Sequence, residues 1–111
     1  MVNLIPLEHP GVILFEEFIE PLGLTAYKVA KDIDIPQTAL GEIIKGKRGI
    51  SAQVGLKLSK YFGMSEEFFV KIQMRYDIDR TKVAQHESLG KIIPFRPKPK
   101  EPPAIENLKE A

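Results

Sequence analysis

The stretch TAYKVAKDIDIPQTALGEIIKGKRG, residues 25–49, decides the fold of this chain. Its apolar residues recur at helical spacing, and strand-like alternation never persists. Thr25 is a good N-cap for a first helix. That helix must end before Pro36, because the residue that precedes a proline avoids helical geometry. A second helix then runs from Gln37 to about Lys45, so the stretch predicts two short helices joined by a three-residue turn.

This arrangement is the shape of a helix-turn-helix, in which the second helix enters the major groove of DNA. The small Ala30 lets the two helices cross closely, and Leu40 and Ile43 lie on the inward side of the second helix. The outward side carries the candidate base-reading residues Gln37, Thr38, Gly41 and Glu42. Candidate phosphate-binding residues surround it, namely Thr25, Tyr27, Lys28, Lys45, Lys47 and Arg48. The same polar residues are also typical of any solvated helix face, which is the alternative interpretation.

Charge is segregated along the chain although the net charge is only +1. Residues 1–24 hold four acids and no base, whereas residues 25–60 hold seven bases and three acids. This distribution predicts two surfaces that prefer partners of opposite charge, with chance clustering as the alternative.

Composition and motifs argue against several other classes of protein. The chain has 111 residues and no cysteine, which excludes a disulfide scaffold and a thiolate metal site. Its two histidines, His9 and His86, are far apart in sequence. His9 is expected to hydrogen-bond the start of a helix that follows Pro10. Glu16 and Glu17 are adjacent, so they splay apart on a helix and make a poor acid–base pair. We therefore expect no catalytic residue, metal or cofactor, and no enzyme activity.

The sequence also contains no apolar run near the ~18 residues that a membrane span needs. No basic residue precedes the apolar residues of the N-terminus, so a secretory signal is not predicted. A cytoplasmic protein without a membrane partner is the expectation.

Three further helices are predicted around the central pair. The first runs from about Gly11 to Glu20, between two prolines. Its inward stripe is predicted to be Ile13, Leu14, Phe18 and Leu22. The fourth helix starts at the N-cap Ser51 and reaches Phe62, where Gly63 is a natural C′ residue, and the fifth runs from Ser65 to about Ile78.

The C-terminal segment differs in composition from the rest. Five of the nine prolines lie after residue 88, so this segment cannot be one helix or a central strand. We predict a domain over residues 1–87 and a Pro-rich extended or flexible tail over residues 88–111. Within that tail, Ile92, Ile93 and Phe95 are candidates for a short β-like anchor, and residues 104–110 for one or two helical turns.

Two longer segments resemble a known family. Residues 9–51 read HPGVILFEEFIEPLGLTAYKVAKDIDIPQTALGEIIKGKRGIS, and residues 61–79 read YFGMSEEFFVKIQMRYDID. Both resemble the HigA-type antitoxins of the XRE (lambda-repressor-like) helix-turn-helix superfamily. Asp34 stands where the family usually has Gly in the turn, and Asp tolerates a positive φ better than most residues. Ala26 and Gly41 stand where the family often has Gln and Asn.

The resemblance implies an all-α, five-helix DNA-binding domain that forms a homodimer through its last helix. It implies binding of palindromic double-stranded operator DNA in the protein's own promoter, and repression of that promoter. It also implies a partner, a HigB-type RNase toxin of the RelE-like fold, which the antitoxin neutralises. The family's recognition helix falls on Gln37 to Lys45, and its phosphate-contacting loop on Lys47 and Arg48.

Two protein-binding surfaces are predicted from residue spacing and charge. In the last helix, the candidate dimer seam consists of Phe69, Ile72, Gln73 and Tyr76, at i, i+3, i+4 and i+7. Packing of that stripe inside its own monomer is the alternative. The candidate toxin-binding surface is the acidic set Glu8, Glu16, Glu17 and Glu20, because toxins of this kind tend to be basic. The Pro-rich tail is the rival docking element.

Two other functions stay open at this point. The chain could be a stand-alone XRE-family regulator without a toxin partner, using the same DNA-contacting residues. It could also be a helical protein-interaction module that has lost DNA binding, an interpretation that Ala26 and Gly41 favour because they remove polar contacts.

Overall fold

The computed structural model describes residues 8–96, and all its regular elements over that range are helices. They are α1 (Pro10–Ile13), which continues directly as a π-helical segment (Leu14–Ile19), α2 (Ala26–Asp32), α3 (Gln37–Ile44), α4 (Ala52–Phe62), α5 (Phe68–Ala84) and α6 (His86–Gly90). The all-α prediction is confirmed. The predicted helical turns at residues 104–110, and the prolines from Pro97 onward, lie outside the described residues.

The predicted helix boundaries in the middle of the chain are confirmed by their caps. The Thr25 Oγ1 accepts a hydrogen bond from the Lys28 N–H at 3.1 Å, and the Ser51 Oγ accepts one from Val54 at 3.2 Å. Gly63 ends α4 with φ +70°, the left-handed geometry that glycine adopts at little cost. These local signals fix where α2 and α4 begin and where α4 ends.

The first helix differs from the prediction in its register. From Leu14 onward it widens into a π-helix, in which the Glu20 N–H donates to the Phe15 carbonyl, five residues back. The wider turn brings Ile19 into the core beneath Leu14, both fully buried. The prediction that Leu22 lies inward is therefore wrong, and its side chain is 64% exposed.

The core lies where α1, α3, α4 and α5 meet. α3 packs on α1 and α2, while α5 packs on α1 and α4, so the second helix of the helix-turn-helix has support on its inward side. The largest fully buried apolar side chains are Phe69, Leu14, Ile19, Leu40, Ile43, Leu58 and Val29. Burial of this set holds α3 in a fixed orientation with one side left outward.

The C-terminal part of the described chain is longer and more exposed than predicted. α5 begins at Phe68 rather than Ser65, and it ends at Ala84 rather than near Ile78, since no proline or glycine interrupts it. α6 follows and lies across the predicted domain boundary at residue 87. Every residue from 80 to 96 is exposed, and the β-like anchor predicted at Ile92, Ile93 and Phe95 does not form.

Candidate nucleic-acid interface

The outward side of α3 is open to a partner. Ala39, Leu40 and Ile43 are buried in the core, whereas Gln37, Thr38 and Lys45 are exposed and Gly41 and Glu42 are half-buried. This is the division that the apolar spacing predicts. The structure therefore gathers the predicted base-reading side chains on one accessible helix surface.

The turn between α2 and α3 is held in an unusual backbone conformation. Asp34 has φ +61°, in the left-handed region that favours glycine, which agrees with the expectation at this position. The Ile35 N–H donates to the Ala30 carbonyl at 3.0 Å, and the Lys57 ammonium donates to the Asp34 carbonyl at 3.1 Å. Lys57 reaches the turn from α4, so a side chain outside the helix-turn-helix contacts the turn that joins its two helices.

Lys28, a predicted phosphate ligand, is part of a polar cluster on α2. Its ammonium lies 2.9 Å from Asp32 Oδ2, and the Tyr61 hydroxyl donates to the same oxygen at 2.6 Å. The Tyr61 hydrogen bond, followed by that of Lys28, lowers the pKa of Asp32. Lys28 is therefore presented on this surface as one half of an ion pair. Tyr27 and Thr25 lie beside it on the exposed surface.

Arg48 and Glu42, predicted to bind phosphate and to read a base, contact each other. Arg48 Nη2 lies 2.7 Å from Glu42 Oε1. Lys47 on the same loop is exposed. An acid on this surface would be repelled by the phosphates of a nucleic acid, and an ion pair with Arg48 would offset that repulsion. Sequence spacing places both residues at the interface but gives no sign that they pair.

Gln73 connects this basic loop to α5. Its Oε1 accepts a hydrogen bond from the Ile50 N–H at 2.8 Å, and its Nε2 donates to Asp77 at 2.9 Å. Gly49 also lies against the Gln73 carboxamide. That Gln73 belongs to a dimer seam stays a prediction; within the protomer its carboxamide oxygen and nitrogen are both hydrogen-bonded.

The rest of the predicted seam is also used within the protomer. Phe69 is 1% exposed and packs edge-on against the rings of Phe18 and Phe68. Ile72 packs against the core, and the Tyr76 ring meets His9 in a T-shaped contact at 5.1 Å. The alternative interpretation, packing of this stripe inside its own monomer, is the one that the structure favours.

His9 caps the first helix, as predicted. Its Nδ1 accepts a hydrogen bond from the Gly11 N–H at 2.9 Å. Burial lowers the pKa of His9, the positive charge of Arg80 lowers it further, and Asp77 acts in the opposite direction. The neutral imidazole is therefore the form that holds the start of α1.

The predicted toxin-binding acids form an exposed surface on the first helix and just before it. Glu8, Glu16, Glu17 and Glu20 are all exposed. Within residues 8–96, no cluster of three or more histidine and carboxylate side chains is arranged to hold a metal ion. No helix in the same range has the length and apolar character needed to cross a bilayer.

Comparison with known proteins gives consistent matches. Residues 15–69 match the model of a family described as helix-turn-helix. Virulence-associated protein I of Dichelobacter nodosus is 37% identical over 95 residues, which cover 84% of this chain and 85% of that protein. The solved structure of a HigA-family addiction module antidote from Coxiella burnetii is 32% identical, with a TM-score of 0.75 over 82% of this chain and all of that one. The Pseudomonas aeruginosa antitoxin HigA, solved with the higBA promoter, is 26% identical, with a TM-score of 0.76 over the same shares.

Proposed function

The chain belongs to the HigA-type family of the XRE helix-turn-helix superfamily, and we propose that it is the antitoxin of a type II toxin–antitoxin module. In this proposal, a homodimer binds operator DNA in its own promoter and represses transcription. The antitoxin also neutralises a HigB-type, mRNA-cleaving toxin of the RelE-like fold in the cytoplasm. The DNA-binding and dimerisation domain extends in this proposal to the end of α6 at Gly90, and the Pro-rich segment follows it.

The observation that carries this proposal is the surface where α3 meets the loop that follows it. Gln37 and Thr38 project from the exposed side of a helix whose other side is buried. Exposed Lys45 and Lys47 stand at its C-terminal end. Side chains that read base edges, flanked by cations that hold phosphates, are what docking in a major groove requires. The relative solved with promoter DNA supports DNA binding by a chain of this fold.

A dimer is needed because one recognition helix covers only about one half-site. Since the predicted seam residues make contacts within the protomer, we assign the seam to Met74 and Ile78. These residues lie one turn apart on α5, and their side chains are 54% and 40% exposed, respectively. Large apolar side chains that are exposed together on a helix favour association with a second copy. The two recognition helices must then lie about 34 Å apart to enter consecutive grooves.

Footprinting on the DNA upstream of the chain's own coding sequence tests the DNA-binding half of the proposal. We expect the full-length protein to protect a palindromic site whose half-sites are one helical turn apart, and the same site to silence a reporter gene. Uniform, weak protection of all sequences, or none, would contradict operator binding.

Co-purification with the product of the adjacent reading frame tests the toxin half. We expect a small basic RNase to bind the full-length chain and to lose affinity when Glu16→Lys and Glu17→Lys reverse the acidic surface. The matched control is Glu66→Lys with Glu67→Lys, an exposed acidic pair in another part of the molecule. If deletion of residues 90–111 abolishes binding while the acidic variant retains it, the tail is the docking element. Absence of any such partner leaves a stand-alone regulator.

A further inference from the structure

The pair formed by Glu42 and Arg48 is unusual for a DNA-binding surface. Glu42 is the one acid in α3, it lies on the outward side, and its carboxylate would face phosphates in a complex. The two side chains are 46% and 53% exposed, and an ion pair in that much water contributes little to folding. Stability therefore does not account for the pair, and its place at the recognition surface suggests a role in binding.

The loop that carries Arg48 is fixed at both ends. At its start, the Lys47 N–H donates to the Glu42 carbonyl at 2.8 Å, and Gly46 has φ +79°, which turns the chain back toward α3. At its end, the Ile50 N–H is held by the Gln73 carboxamide. Arg48 is therefore presented to Glu42 by a backbone whose path is set before DNA arrives, which lowers the entropy lost in ordering the pair.

We propose that Arg48 is a positioning residue that holds Glu42 as a reader of cytosine. Arg48 contacts Oε1 of the carboxylate. In the proposed complex, the second carboxylate oxygen accepts a hydrogen bond from a base. Because an ionised carboxylate only accepts, it suits the N4 amine of cytosine in the major groove. The operator then carries a C·G base pair opposite Glu42 in each half-site. This inference rests on the proposed DNA-binding function.

The test uses the full-length chain and duplexes that it enriches from a random DNA library. Every base of the enriched half-site is replaced in turn, and affinity is measured by fluorescence anisotropy. For the wild type, we expect replacement of one C·G pair to weaken binding about tenfold or more. Glu42→Gln should change the preferred base at that position to adenine, since a carboxamide pairs with adenine N6 and N7.

The decisive variants alter Arg48 and its neighbour on the loop. Arg48→Gln should reduce the preference for C·G at that position to less than about threefold, and Arg48→Lys should restore part of it. The matched control, Lys47→Gln, removes one charge from the same loop and should weaken binding to all duplexes equally while the preference is kept. The side chains of Glu42 and Arg48 are each about half exposed, so the variants are expected to fold, and far-UV circular dichroism checks this.

If Arg48→Gln weakens binding to all duplexes equally, as is expected of Lys47→Gln, then Arg48 only contacts phosphate and the inference is overturned. It is also overturned if Glu42→Gln leaves every base preference unchanged. If the wild-type chain enriches no duplex, the proposed DNA-binding function itself fails, which separates the two failures.

Discussion

The Cα atom of Gly11 lies directly against the backbone carbonyl of Ile43, so a Cβ at this position would overlap the carbonyl oxygen. Gly11 is in α1 and Ile43 is in α3. This contact sets how closely the recognition helix approaches the helix that supports it. A residue without a side chain is therefore required at the start of α1.

Gly11→Ala is expected to lower the free energy of unfolding by about 3 kcal/mol or more, because the obstacle is backbone rather than a movable side chain. The matched control is Gly41→Ala, at a helical site with open space around it, which should raise stability by up to ~1 kcal/mol. Chemical denaturation of the three proteins measures both effects. Equal stability of Gly11→Ala and the wild type would show that α1 and α3 do not approach as described.

Stability should fall in mild acid because of His9. In the folded state its Nδ1 accepts the Gly11 N–H, so protonation breaks the cap. The pKa of His9 is lowered from 6.5, first by burial and then by Arg80, although Asp77 opposes this. Since the unfolded chain binds the proton more readily, stability is full above about pH 6.5 and declines as the pH falls from there toward the lower folded-state pKa.

The His9→Asn variant isolates this effect, because asparagine is a good N-cap that does not titrate. We expect the free energy of unfolding of the wild type, relative to that of His9→Asn, to decrease as the pH is lowered from 7.5 to 5.5. Because His86 is present in both proteins, its contribution cancels in this difference. Parallel stability curves across this range would contradict a capping role for the neutral imidazole.

Tyr61→Phe should raise the pKa of Asp32 toward its ordinary value. The Tyr61 hydroxyl donates to the Asp32 carboxylate at 2.6 Å, and this hydrogen bond is the first cause of the lowered pKa. NMR titration of the Asp32 side-chain carboxyl carbon measures the change. Tyr27→Phe, which alters another exposed tyrosine, should leave the Asp32 pKa in place; an equal response to both variants would rule out the specific bond.

Substitution of Met74→Asp together with Ile78→Asp should convert the dimer to a monomer in sedimentation experiments. A charge in an apolar seam loses its hydration, and two copies would repel each other. Val83→Asp is the matched control, since nine residues from Met74 correspond to about half a turn of rotation and place Val83 on the opposite side of α5. Dissociation by Val83→Asp alone, or an unchanged dimer in the double variant, would refute this seam.

Much of the fold is predictable because its signals are local. Thr25, Ser51 and Gly63 cap helices through atoms within four residues of themselves, and those boundaries are confirmed. The π-helical register buries Ile19 and leaves Leu22 exposed. This register is not set by local signals, because it depends on which side chains fit into the core that α3 and α5 help to form. The full length of α5 could not be predicted for a different reason: an exposed helix needs no apolar stripe.

At the candidate interface, too, features set within one helix could be predicted, whereas contacts between distant segments could not. Exposure of Gln37 and Thr38 follows from the spacing of Leu40 and Ile43 within one helix. Contacts between distant segments, such as Gln73 with Ile50 and Lys57 with Asp34, each join residues 23 positions apart. A helical stripe cannot distinguish a side chain that faces its own core from one that faces a second copy, so spacing alone could not show that Phe69 lies in the core.

The central claim is that α3 and its basic loop bind DNA, and the salt dependence of binding tests it most directly. The logarithm of the affinity for an enriched duplex, plotted against the logarithm of salt concentration, should have a shallower slope in Lys47→Glu/Arg48→Glu than in the wild type, by roughly one for each phosphate that is no longer neutralised. Affinity should also fall for every sequence. The charge-matched control Lys60→Glu/Lys91→Glu, with both positions exposed and outside this surface, should retain the wild-type slope. Equal reductions of affinity in the two double variants, or an unchanged slope in the loop variant, would contradict the assignment of this surface.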